Sequence, residues 1–151
     1  MTKELELAIK TGTAVGLSLL IGKILKIDSL FYASIAAAIC SQIEYKSSLK
    51  QGIGRVYGTI VGAILGVSFY YYLPRNIIAM VFGISIIVFI SYKYLKTSQA
   101  NIAAIVFLGI MLEIQPQKTP IFYFVHRVLD TSLGVVIAVF VSNISFPRKL
   151  R

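Results

Sequence analysis

Gly54-Arg55-Val56-Tyr57-Gly58-Thr59-Ile60-Val61-Gly62-Ala63-Ile64-Leu65-Gly66 decides how the rest of the chain is read. Its glycines recur every four residues. On an α-helix that spacing makes one stripe without side chains, along which another helix can approach closely. The run is no nucleotide fingerprint, because its glycines are evenly spaced within an apolar stretch and do not sit in a strand-to-helix turn. It belongs to an apolar segment, 53–73, that Pro74 and Arg75 close, and proline suits a hairpin turn there. Such a segment has the length of a membrane span, about 20 residues.

Outward from this segment the same pattern repeats. Apolar runs bounded by charge, proline or turn residues cover 8–25, 29–43, 53–73, 76–92, 98–114 and 121–146. The second and fifth are short for a span, and a re-entrant course is the alternative for them. Composition agrees with a bilayer as solvent. Hydrophobic residues make up 57% of the 151-residue chain and charged residues only 14%, whereas soluble domains carry about 25% charged residues. A soluble fold this small could not hide so much apolar surface. The expected fold is therefore all-α: a polytopic membrane bundle of about six transmembrane helices in a single transmembrane domain, 1–151.

The net charge of +9 lies mostly between the apolar runs, as in loops held against anionic headgroups. No basic helix or aromatic-plus-basic platform is present, so nucleic acid is not an expected partner. With both termini in the cytoplasm, ten basic residues fall inside (Lys3, Lys10, Lys46, Lys50, Arg55, Lys93, Lys96, Arg148, Lys149, Arg151) and five outside (Lys23, Lys26, Arg75, Lys118, Arg127). That bias favours cytoplasmic termini and a short basic cytoplasmic tail, 147–151. The start of the chain lacks a basic n-region, so the first helix is expected to stay as a span. Tyr70, Tyr71, Tyr72, Tyr92 and Tyr94 fit interfacial aromatic belts, although packing between helices is an equal reading for any one of them. Cys40, the single cysteine, cannot form an internal disulfide.

The sequence repeats at a shift of 72 residues. Arg55-Val56-Tyr57-Gly58-Thr59-Ile60-Val61-Gly62 answers Arg127-Val128-Leu129-Asp130-Thr131-Ser132-Leu133-Gly134, with Arg, Val, Thr and Gly coincident and Gly66 opposite Ala138. Ser29 falls opposite Asn101 and Ala33 opposite Ile105. Each copy, about 1–75 and 76–147, holds three spans. An odd number makes the second copy enter the membrane in the opposite sense, giving two inverted three-helix repeats of the kind common in transporters.

Two helices carry the candidate chemistry. Arg55, Thr59, Gly62 and Gly66 share one helical face, as do Arg127, Thr131, Gly134 and Ala138. Gly54, Gly58, Gly62, Gly66, Gly134 and Ala138 are read as helix-packing positions; sliding of these faces during gating is the functional extension. Each arginine either attracts an anion from inside the bundle or reaches the headgroup zone near a helix end, and the spacing leaves both open. Asp130 stands at i+3 from Arg127, a spacing that allows an ion pair and would neutralise that site. Glu44 and Glu113 end short spans and suit the interface better than pairing with arginine, and His126 suits packing better than proton relay. There is no metal-ligand cluster, no Ser/His/Asp spacing and no phosphate-cradling loop with a lysine. Neither an enzyme nor a cofactor is expected.

The Gly54–Gly66 helix, with the second arginine helix 127–134, resembles the membrane domain of the aromatic acid exporter and fusaric acid resistance family over nearly the whole chain. That resemblance implies a bacterial inner-membrane transporter of organic anions, including aromatic carboxylates. Related plant malate channels line an anion path with arginines on matching helices and work as dimers. By the same likeness Arg55 and Arg127, with Thr59 and Thr131 beside them, are the expected substrate-binding residues, and a homodimer is the expected assembly. Many relatives continue into a soluble helical cytoplasmic domain, which this sequence, ending at Arg151, does not show. The alternative expectation is a non-transporting scaffold or accessory subunit that works through its glycine faces.

Overall fold

The computed structural model describes residues 2–26, 30–95, 99–113 and 119–144. The expected basic tail, Lys96, Lys118, Ser29 and the side chains of Tyr94 and Glu113 lie outside these. Among the described residues six α-helices follow one another: α1 Lys3–Ile24, α2 Leu30–Cys40, α3 Tyr45–Tyr72, α4 Ile77–Ile90, α5 Ala100–Glu113 and α6 Pro120–Asn143. A π-helical turn, Ser91–Leu95, continues α4.

Local chemistry sets the boundaries. Glu4 and Glu6 in the first turn of α1 and Lys23 in its last turn suit the helix dipole. The helix stops where Lys26 turns left-handed, at φ 52°. Asn76 caps α4, its side chain accepting from the Ala79 N–H at 2.8 Å. Pro120 opens α6 at the first helical position, where its missing N–H costs nothing.

Among the described residues three helices, α1, α3 and α6, are long and apolar enough to cross a membrane, while α2, α4 and α5 are shorter apolar helices. The sequence-based limits shift accordingly. α3 begins at Tyr45, eight residues before the apolar run, and α1 begins at Lys3. Helical hydrogen bonding continues through polar residues such as Lys46, Ser47 and Lys50, which an apolar-run reading leaves out. α2 and α5 end inside the runs that suggested them.

The chain divides into two compact units. The first comprises Met1–Ile53 and Leu129–Arg151, the second Gly54–Val128. In the first, Ala14, Ala37, Ile137 and Val141 form the core. In the second, Phe69, Ile87, Ala103, Phe107 and Met111 form one cluster, with Phe69 and Phe107 edge-on at 5.3 Å. A second cluster there joins Ala63, Val106 and Ile110. The outside is as greasy as the inside: Ile24, Ile77, Ile78, Leu20, Val136 and Phe140 are all exposed. Such a surface suits lipid, and the protein is a membrane protein.

Buried positions recur along the chain. In α3 they include 55, 58, 59, 62, 63, 66 and 69; in α6 they include 127, 130, 131, 134, 135, 138 and 141, each 72 further on. Positions 33, 36, 37 and 40 of α2 match 103, 106, 107 and 110 of α5 at a shift of 70. The sequence alignment sets Ala33 opposite Ile105, which is exposed, whereas the burial pattern sets it opposite Ala103, which is buried.

Candidate functional site

Both arginines belong to the second unit. Arg55, on α3, is only 8% exposed. One turn on, the Thr59 hydroxyl donates to the Arg55 carbonyl at 2.9 Å, so its proton is already directed at the helix backbone. Burial of this face comes from α5 and from Gln99 just before it. A side chain at Gly54 would meet Gln99 at 2.9 Å, one at Gly58 the Gln99 carbonyl at 3.0 Å, and one at Gly66 Ile110 at 2.8 Å. At Gly62 even a methyl group would run into the Ala103 backbone. The α3 glycine stripe is thus a packing seam for α5.

Arg127, on α6, is 5% exposed. Its Nε donates to the Tyr123 hydroxyl at 2.7 Å, and its Nη2 donates to the same oxygen. The guanidinium carbon lies 4.8 Å from the Tyr123 ring centroid, close enough for a cation–π contribution. Gly109 of α5 makes room for this arrangement: a methyl group there would meet the Tyr123 hydroxyl and stand 3.2 Å from Arg127 Nη2. Tyr123 and Gly109 were not legible as site residues. The available signal was Tyr123 at i−4 from Arg127, a spacing at which helical side chains meet.

The other expected residues of α6, Asp130, Thr131, Gly134 and Ala138, fall in the first unit and are all buried. A methyl group at Gly134 would strike the Ala33 carbonyl of α2 and stand 2.7 Å from Ala36 Cβ. His126 is half-buried with its ring 4.1 Å from that of Phe122, a packed setting. Glu44 is exposed. Among the described residues no group of three His, Cys, Asp or Glu side chains is placed to hold a metal ion.

The family model described as fusaric acid resistance protein-like matches residues 17–141. The chain belongs to the fusaric acid resistance protein-like family. No curated protein matches it, and no solved structure does. Membership makes it a membrane transport- or resistance-related protein.

Within this fusaric acid resistance protein-like chain, the structure adds polar groups that sequence reading missed. Lys10, counted in the sequence among cytoplasmic charges, is 2% exposed. Its Nζ pairs with Glu6 at 3.0 Å and donates to the Ile43 carbonyl at 2.9 Å. The i, i+4 spacing of Glu6 and Lys10 was the available signal. Two serines also stand apart. Ser34, Ser41, Ser68 and Ser85 each donate to the carbonyl four residues back. The buried hydroxyls of Ser18 and Ser91 have no hydrogen-bond partner among the described residues.

Proposed function

We propose that this protein is a transporter or channel for small organic anions, aromatic carboxylates among them, and that it works as a homodimer in a bacterial inner membrane with both termini cytoplasmic. The observation that carries the reading is the burial of two guanidinium groups, Arg55 and Arg127, inside one compact unit of a membrane protein. A charge at the centre of a membrane helix costs about 2.5–3.5 kcal/mol on insertion scales, so a buried arginine in such a protein has a task. The planar fork of donors suits a carboxylate. Tyr123 fixes the plane of the Arg127 fork, and Gly109 leaves the room that the two side chains occupy. With the Thr59 proton held by its own helix, anion recognition on α3 falls to Arg55. Thr131 and Asp130 flank Arg127 along α6; an Asp130–Arg127 ion pair would moderate the attraction there.

The recurrence of buried positions at a shift of 72 between α3 and α6, and of 70 between α2 and α5, supports two three-helix repeats of opposite sense. In this reading all six helices enter the membrane, the shorter three relying on their neighbours for cover. The alternative, a scaffold acting through glycine faces, finds less room. The α3 stripe is covered by α5 and Gly134 by α2; a methyl group added at Gly12 or Gly16 of α1 would meet nothing within 4 Å among the described residues, and a partner helix would dock there.

Flux of benzoate through liposomes carrying the purified protein tests the proposal. Arg55→Ala and Arg127→Ala are each expected to lower flux roughly tenfold or more, matching a lost charge-assisted interaction of about 1.5–3 kcal/mol. Tyr123→Phe, which leaves the charge but frees its plane, should fall between these and the wild type. Unchanged flux in both arginine variants, with normal assembly, would remove them from the mechanism and favour the scaffold.

A further inference from the structure

The first compact unit contains a pocket of about 280 Å³ that the arginine site does not use. Lys3 and Leu7 line it from the start of α1, Gln42, Ile43 and Glu44 from the turn between α2 and α3, and Ser47 from the first turn of α3. Both α1 and α3 are long enough to cross a membrane. A pocket at the first turn of each sits where apolar segments end and lipid headgroups begin.

Buried polar groups hold the wall of this pocket. Lys10, paired with Glu6, donates to the Ile43 carbonyl. The Gln42 N–H donates to the Ser48 hydroxyl at 2.9 Å. Ser48 in turn donates to the Ser142 hydroxyl of α6 at 2.7 Å, and the Ser41 hydroxyl donates to the Ala37 carbonyl at 2.8 Å. Three helices thus fix a four-residue turn through side chains, and a wall fixed in advance loses little freedom when a ligand arrives.

The lining carries one cation, one anion, an amide, a hydroxyl and two aliphatic groups. Lys3 and Glu44 are both exposed, and among the described residues no ion pair joins them. A simple anion would face Glu44 with like charge, and a simple cation would face Lys3 likewise. A zwitterion answers both. We infer that this pocket binds a phosphoethanolamine-type zwitterion: its phosphate oxygens take hydrogen bonds from Lys3 and the Ser47 hydroxyl, its primary ammonium donates to Glu44 and the Gln42 side-chain carbonyl, and its carbon skeleton lies against Leu7 and Ile43. A phospholipid headgroup and the free molecule share this chemistry.

Cys40, the only cysteine and fully buried at the end of α2, reports the stability of the adjoining turn, because a thiol-reactive fluorophore reaches it on unfolding. The full-length protein is placed in vesicles of phosphatidylethanolamine with one quarter phosphatidylglycerol, and in vesicles where phosphatidylcholine replaces the phosphatidylethanolamine. Phosphatidylcholine keeps the phosphate but has no ammonium N–H for Glu44. The wild type is expected to expose Cys40 at a higher temperature in phosphatidylethanolamine. Lys3→Gln and Glu44→Gln, both at exposed positions, are expected to lose most of that difference and to retain roughly tenfold less phosphatidylethanolamine on purification. Free phosphoethanolamine added to the phosphatidylcholine vesicles separates the sources: an equal rise shows that the soluble molecule suffices, and no rise assigns the site to the lipid. An equal gap in wild type and variants marks a bulk bilayer effect and overturns the inference. No gap in the wild type, with no response to phosphoethanolamine, overturns it too.

Discussion

In the second unit, Gly62 of α3 lies against the backbone of Ala103 on α5; in the first, Gly134 of α6 lies against the backbone of Ala33 on α2. The two contacts solve one packing problem in the same way, seating a long helix on a short one with no side chain between the backbones. The polar content around them differs. The second unit holds both arginines and the tyrosine that orients Arg127. The first holds the Glu6–Lys10 pair and the Ser48–Ser142 hydrogen bond, which tie a turn in place. Shared packing with divergent polar groups means that the scaffold and its chemistry can be perturbed separately.

The largest expected effect falls on the first unit. Lys10→Met leaves Glu6 buried without its partner and the Ile43 carbonyl without its donor, and should cost about 3–5 kcal/mol. The double variant Glu6→Gln with Lys10→Met should recover part of this, because the stranded charge is gone. Thermal exposure of Cys40 measures both; a harmless Lys10→Met would show that the pair carries no structural role. Next come Gly62→Ala and Gly134→Ala. Each puts a methyl group against a backbone that cannot turn away, so each should cost about 1–3 kcal/mol, and by similar amounts. Helical content on heating checks this, and a neutral result at one position alone would break the likeness of the two contacts. The smallest effect has the opposite sign. Ser18→Ala, in the first unit, and Ser91→Ala, in the second, remove buried hydroxyls that lack partners among the described residues, and each should raise stability by about 1 kcal/mol.

Much of this arrangement could be read in the sequence because it is periodic. Four-residue glycine spacing on α3 announces a face, and Arg55 and Arg127 each share a face with small neighbours, so burial of the arginines was one of the two readings that helical geometry left open. Helix starts were less legible. Tyr45 through Gln51 is polar, and hydropathy has no means of showing that the helix runs on through it. The burial of Lys10 was not legible for a different reason. A lysine near a span end ordinarily extends its ammonium to water, whereas here a carbonyl 33 residues away receives it. Gly109 escaped notice because its neighbours Tyr123 and Arg127 are on another helix, and the space they need is a property of the folded chain.

α4 has one consequence of its own. Ala79, Gly83 and Ile87 are its buried residues, while Ile77, Ile78, Val81, Phe82 and Phe89 are turned outward. Inner and outer faces are equally oily, so acyl chains would accept either one. Amphipathicity therefore cannot set the angle at which this helix is presented; steric fit alone does so, for example where Gly83 admits the ring of Phe107. Turning α4 about its long axis would carry almost no solvation penalty, only the loss of that interlock.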